Sequence, residues 1–192
     1  MTSRLHLVRA DDIRPVRWRN GGGWTRELLA WPDEDDWTVR VSVADIADDG
    51  PFSPFPGVDR WFAVLDGNGV ELDDGSGRVR LAPGDAIHRF RGEAAPACRL
   101  LGGATRDFNL MVRRGRASAV VVGPAGEAAA VADWSGCFAG APLRARLAGD
   151  DSWHDVPARA LAWTVAPARL EIDAKDARGW RIDVALASGV PR

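Results

Sequence analysis

The 192-residue chain is poor in the side chains on which metal or thiol chemistry is usually built, with three histidines, two cysteines and no tyrosine. His6, His88 and His154 stand far apart, and no pair has the spacing of metal ligands. Cys98 and Cys137 fall outside any CxxC pattern, which argues against a disulfide framework or a thiolate site. What remains is polar recognition, concentrated in three blocks. The first, Trp18 to Leu28 (WRNGGGWTREL), sets Asn20, Thr25, Arg26 and Glu27 around three adjacent glycines. Such glycines allow a tight turn with a bulge, or a nest of amides that receives an anion. The second, Asp49 to Arg60 (DGPFSPFPGVDR), is a loop stiffened by three prolines that delivers Arg60 to an apolar strand. If Arg60 shares the inward face of Phe62 and Val64, it is a buried cation in need of an anion. Asp59, Glu27 and a ligand carboxylate are the three partners to weigh. The third, Thr105 to Arg114 (TRDFNLMVRR), puts Asn109, Met111 and Arg113 on one face, a composition suited to a barrel mouth.

The elements that would position these blocks are strands. Trp37 to Ala44 reads WTVRVSVA, with Trp37, Val39, Val41 and Val43 alternating against Thr38, Arg40 and Ser42. The apolar run Trp61 to Leu65 ends in Asp66-Gly67-Asn68-Gly69, and the next closes on Asp73-Asp74-Gly75, both turn chemistry. Phe108, Leu110 and Val112 alternate with Asn109, Met111 and Arg113, and Trp180, Ile182, Val184 and Leu186 with Arg181, Asp183 and Ala185. Short helical turns are expected at 10–13 and 45–47. Many short strands between Gly, Pro and Asp turns indicate an all-β sandwich or barrel. The Gly-, Ala- and Val-rich stretch from Arg114 to Val131 reads as the passage between two β halves, 1–116 and 117–192. The segment from Gly77, GRVRLAPGDAIH, resembles the second motif of cupins, in which a Pro-Gly turn presents a histidine on the next strand. The earlier strand that should carry the paired histidines of a metal-binding cupin reads Asp59-Arg60-Trp61-Phe62-Ala63-Val64, so His88 is read as packed or surface-lying, with no metal and no cofactor expected.

Composition narrows the class. Acidic and basic residues nearly balance (27 against 25), without the basic excess of a nucleic-acid binder. No segment has the length and apolarity of a membrane span, and the N-terminus carries no signal-like run, so a cytoplasmic protein is expected. Every basic residue but Lys175 is arginine, which reads first as genomic composition and only position by position as carboxylate recognition.

The ordered blocks WRNGGGWTREL, DGPFSPFPGVDR, the strand ending in DGNG, and RDFNLMVRR together resemble the HutD/Ves family, over roughly Leu7 to Arg114. Glu93 after Gly92 departs from the usual glycine-aspartate pair. The resemblance implies a bicupin, two cupin β-barrel halves without the usual metal-binding histidines. It also implies a link to histidine utilisation or, in the Ves relatives, a stress response, and a role in sensing a small carboxylate such as N-formylglutamate or formate. The reading that combines both lines is a ligand-binding bicupin with its pocket in the N-terminal half. In it Arg60 anchors a carboxylate, Asn20 and Thr25 are neutral hydrogen-bond partners, and Glu27 holds the arginine or accepts a ligand donor. Asn109 and Met111 close the opposite wall. A homodimer is compatible with this reading. Two rivals stand beside it. One is a metal-free isomerase, epimerase or hydrolase with Glu27 as base; the other is an interaction module whose nine tryptophans form a contact surface.

Overall fold

The structure is a computed structural model that describes residues 4–129, 131–174 and 178–190. Its strands are β1 (His6–Arg9), β2 (Val16–Arg17), β3 (Gly23–Trp31), β4 (Val39–Ile46), β5 (Gly50–Pro51) and β6 (Val58–Asp66). They continue as β7 (Val70–Asp73), β8 (Arg78–Leu81), β9 (His88–Arg91), β10 (Ala97–Leu100), β11 (Thr105–Arg113) and β12 (Ala117–Val122). The last are β13 (Trp134–Ala139), β14 (Leu143–Leu147), β15 (His154–Val156), β16 (Ala160–Val165), β17 (Leu170–Asp173) and β18 (Gly179–Leu186). The only helical elements among the described residues are two 3-10 turns, at Ala10–Asp12 and Gly92–Ala94. The chain is all-β and cupin-like. It divides into two compact units, Ile13–Arg114 and the segments on either side of it.

In the Ile13–Arg114 unit a six-stranded sheet, β2-β3-β4-β11-β6-β9, and a four-stranded sheet, β5-β10-β7-β8, share one core. Ile46, Phe62 and Val64 meet Val70, Leu72, Leu81 and Cys98 there, with Phe52 from the second block. The opposite face of the large sheet, Val39, Val41, Val43, Phe108, Leu110 and Val112, is also buried. Strands β4 and β11 therefore have both faces covered, and the alternation in their sequences separates apolar interior from polar interior, not interior from water. Strand β4 begins later than the apolar alternation suggests and runs through Asp45 and Ile46, where a helical turn was expected. Register explains it: Ile46 pairs with Gly23 on one side and Thr105 on the other, and this ladder occupies the backbone groups a helical turn would use.

In the second unit a five-stranded sheet, β1-β16-β13-β18-β12, and a three-stranded sheet, β15-β14-β17, enclose Cys137, Ala139, Ala145, Ala160 and Ala162 with Leu143, Leu147, Val156 and Leu170. The stretch read as a passage between halves contains β12, paired along its length with β18. The expected boundary at residue 116 needs one correction. His6–Arg9 pairs antiparallel with β16, so the N-terminal segment belongs to the C-terminal unit, covering a sheet edge that would otherwise expose unpaired backbone groups.

Topology repeats where sequence does not. The strand order β4-β11-β6-β9 with β10-β7-β8 has its counterpart in β12-β18-β13-β16 with β17-β14-β15, the same connectivity run through twice.

Candidate functional site

Arg60, third residue of β6, has the inward orientation that the alternation with Phe62 and Val64 implies and is 5% exposed. Neither of the two protein carboxylates weighed as its partner, Asp59 and Glu27, is paired with it. Asp59 is held by Arg89 (2.7 Å) and Arg114 (2.8 Å), and Glu27 by Arg40. Among the described residues no carboxylate lies within ion-pair distance of Arg60. Its Nη2 donates to Asn109 Oδ1 at 3.1 Å and its Nη1 to the Ser53 carbonyl at 3.4 Å, while Nε is buried with no acceptor. The rings of Phe52, Phe55 and Phe90 surround the guanidinium, with centroids 5.1, 5.4 and 5.0 Å from its central carbon. Such contacts offset part of the lost hydration of a cation but do not neutralise it. Burial, and after it the positive charge of Arg40, pull the Arg60 pKa down to about 10, so the group keeps its proton at neutral pH.

A hollow of about 360 Å³ opens beside this guanidinium. Trp18, Arg19 and Asn20 of the glycine block and Thr25 of β3 form one wall. Arg40, Ser42, Ala44 and Ile46 of β4, with Asn109 and Met111 of β11, form another. The proline-rich loop contributes Pro51, Phe52, Ser53 and Phe55. Both the size and the mixture of apolar wall with a few convergent polar groups are those of a small-molecule pocket.

The glycine block folds as a hairpin turn between β2 and β3. Gly21 takes φ +78° and its N–H donates to the Trp18 carbonyl (3.0 Å), while the Gly22 N–H donates to Asn20 Oδ1 (3.1 Å). These two amides are consumed locally, so the turn reading holds and the amide-nest reading does not. Gly23 is required by packing: a Cβ there would stand 2.4 Å from the Asp45 carbonyl and 3.1 Å from the Trp18 ring. The close approach seats Trp18 at the pocket, where its Nε1 donates to Thr25 Oγ1 at 2.7 Å. With its acceptor role filled, the Thr25 hydroxyl can present its proton to the hollow.

Of the six residues singled out from sequence, Asn20, Thr25, Arg60, Asn109 and Met111 line this one hollow. Glu27 does not line it; its carboxylate grips Arg40 Nε, so it steadies a wall residue and neither holds Arg60 nor faces the hollow. Arg40 and Ser42, on the polar side of a strand whose alternation suits half-solvation, and Ser53, Phe52 and Phe55 of the proline-rich loop line the hollow without a signal of their own in the sequence. Phe90 carries no local signal at all; only the pairing of Phe90 with Arg60 across β9 and β6 brings it there. The histidines stay apart: His6 stacks on Trp163, His88 stacks on Phe90 just after the Pro83-Gly84 turn, and His154 opens β15.

Below the pocket wall, on the same strand face as Asn109, lies the fully buried Asp107. Its Oδ2 accepts a hydrogen bond from Thr105 Oγ1 (2.8 Å), and its Oδ1 has no partner. Burial pushes its pKa up to about 8, with Asp45 adding to the rise and Thr105 opposing it. Its proton is therefore held well above the usual carboxylate range, and among the described residues no ion pair joins it to Arg60.

The fold and site together define a two-unit cupin-like protein with an uncompensated arginine in the hollow of one unit. The chain belongs to the HutD family, whose model matches residues 10–180. It is 46% identical over 112 residues to an uncharacterized 21.2 kDa protein in the hutC 3′ region of Pseudomonas putida, covering 57% of this chain and 58% of that one. It is 39% identical over 105 residues to the protein Ves of Cronobacter sakazakii, covering 54% and 58%. These matches therefore span under two thirds of each curated relative. The solved structure of HutD from Pseudomonas fluorescens SBW25, in a formate condition, superposes with a TM-score of 0.81 at 26% identity, over 96% of this chain and all of that one. No helix among the described residues is long and apolar enough to cross a membrane.

Proposed function

We propose that the protein binds a small carboxylate in the Arg60 hollow and, through that binding, modulates histidine utilisation or related amino-acid catabolism. One observation carries the reading: a buried, protonated guanidinium beside a cavity, with an unsatisfied N–H and, among the described residues, no protein anion. Removing such a charge from water is costly unless an anion completes it. A carboxylate supplies the charge and a planar pair of acceptors matched to the guanidinium fork. Asn109 and Thr25 would fix its orientation, and the phenylalanine rings exclude competing water. Formate and N-formylglutamate are the ligands that best suit the reading. The P. fluorescens HutD structure is described as a formate condition, and the P. putida relative as lying in the hutC 3′ region. The hut link and the ligand come to this chain as part of the proposal.

The test is a thermal-shift series with formate, N-formylglutamate, urocanate, glutamate and histidine. Ligand at a hundredfold excess over Kd adds about 2.7 kcal/mol to stability. At least one of the carboxylates should raise the unfolding temperature in a saturable way. No shift with any of them at millimolar concentration sinks the reading.

A further inference from the structure

The loop from Pro51 to Gly57 supplies Ser53, Phe52 and Phe55 to Arg60, yet it has little regular secondary structure of its own beyond its first residue. Its far end, from Phe55 to Gly57, is held by the short turn at Gly92–Ala94, outside the pocket lining. The Phe55 N–H donates to the Gly92 carbonyl at 2.9 Å, and the Gly57 N–H donates to Glu93 Oε1 at 2.7 Å. Gly92 is packed so closely beneath the loop that a Cβ would stand 2.3 Å from the Phe55 carbonyl. The same Glu93 oxygen receives the Arg114 guanidinium. Arg114 in turn donates from Nη1 to the Val58 carbonyl and to Asp59 Oδ1, both at 2.8 Å, and from its backbone N–H to the Gly57 carbonyl at 2.8 Å. The far end of the loop is thus held at Phe55 and Gly57, and the first two residues of β6, Val58 and Asp59, are held with it, immediately before Arg60.

We propose that Glu93, with Gly92 and Arg114, is a positioning latch that fixes the far end of the proline-rich loop so that the Ser53 carbonyl and the Phe55 ring, beside Phe52, hold Arg60 in its ligand-receiving pose. The inference rests on the carboxylate-binding reading of the hollow. The ion pair itself is half exposed and adds little to global stability, as such pairs generally do. Its consequence is local. A guanidinium on a long side chain keeps one orientation only while its neighbours do, and the loop that carries them is anchored at its near end by the β5–β10 pairing and by the Phe52 N–H on the Pro96 carbonyl (3.0 Å). Releasing the Gly57 N–H frees the loop's far end, and the Phe55 ring and the Ser53 carbonyl lose their fixed positions while Phe52 stays anchored. Ligand binding then has to re-order the loop, which lowers affinity without touching a group that contacts ligand.

The latch is tested with E93A, E93D and the unaltered protein, by calorimetric titration with sodium formate and by amide hydrogen exchange. E93A should bind formate about tenfold more weakly, which corresponds to about 1.4 kcal/mol. The Phe55 and Gly57 amides should exchange at least about tenfold faster, with β6 and β11 amides unchanged. E93D keeps the acceptor and should restore most of both. A purely structural role would lower the unfolding temperature without this rescue or this local pattern. If the unaltered protein takes up no formate, the carboxylate reading falls and the exchange data judge the latch. Equal exchange at Phe55 and Gly57 in E93A and the unaltered protein, or equal formate affinity where formate binds, overturns it.

Discussion

Each unit of this chain buries an arginine at the inner face of its larger sheet, and the two are treated in opposite ways. Arg60 of β6 has three aromatic neighbours, one amide oxygen and one distant carbonyl, and an N–H left open beside a hollow. Arg181 of β18 donates from Nε to the Gly126 carbonyl (3.0 Å) and from Nη1 to the Leu170 carbonyl (3.1 Å). Two residues on, Asp183 takes the Ser135 hydroxyl (2.8 Å) and the Ala129 N–H (2.9 Å). The loops that meet the arginines are topologically equivalent, the connection from β4 to β6 in one case and from β12 to β13 in the other. In the second unit that loop and β17 each give the guanidinium a backbone carbonyl, and the interior fills with small and aliphatic side chains. In the first the loop gives one long backbone hydrogen bond, from Ser53 at 3.4 Å, and two ring faces, and leaves space. The same connectivity thus yields one arginine whose buried N–H groups are taken up and one with an N–H left open, and hydrogen-bond closure makes the difference.

The largest effects should come from breaking that asymmetry. Arg60→Leu should abolish carboxylate-dependent stabilisation, at least a hundredfold in Kd or about 3 kcal/mol. It should also make the unliganded protein about 1–2 kcal/mol more stable in urea unfolding, because an uncompensated buried charge is gone. Arg181→Ala should do the reverse, destabilising by about 2–3 kcal/mol by orphaning two carbonyls while leaving formate affinity unchanged. A destabilised Arg60→Leu with normal binding would erase the distinction.

A second contrast lies in the buried acids. Asp183 has two donors in contact and Asp107 has one, with an oxygen left bare. The folded-state pKa of Asp107, about 8, lies above the 3.8 of an unperturbed aspartate, so the folded protein holds a proton that the unfolded chain releases at neutral pH. Its stabilising contribution is therefore complete below about pH 4 and declines as pH rises toward 8, by up to about 1.4 kcal/mol per unit. Urea midpoints measured from pH 5 to 8 should fall less steeply in Asp107→Asn, and the variant should be the more stable protein at pH 8. Parallel pH profiles for Asp107→Asn and the unaltered protein would remove the buried proton from the account.

The smallest effect concerns Glu27, which sequence placed at the ligand and the structure places on Arg40. Glu27→Gln should change formate affinity by less than about threefold, in keeping with a partly exposed pair. A loss comparable to that of Arg60→Leu would return Glu27 to the binding site.

The all-β class, the long strands β4, β6, β11 and β18, the turns at Gly67 and Gly75 and the inward face of Arg60 were legible in the chain itself, because alternation and Gly, Pro and Asp turns are local properties. The pocket grouping of Asn20, Thr25, Asn109 and Met111 could be read from the recurrence of whole motifs, though no spacing among them demands it. Three things were decided only in three dimensions. Which carboxylate meets which arginine depends on cross-strand register, and that register gave Glu27 to Arg40 and Asp59 to Arg89 and Arg114. The membership of the N-terminal strand in the C-terminal unit depends on a pairing between His6–Arg9 and a strand some 150 residues later. The polar side of β4 looked like a solvent face in sequence and became a cavity wall, since period-two alternation tells one face from the other but not water from an enclosed hollow.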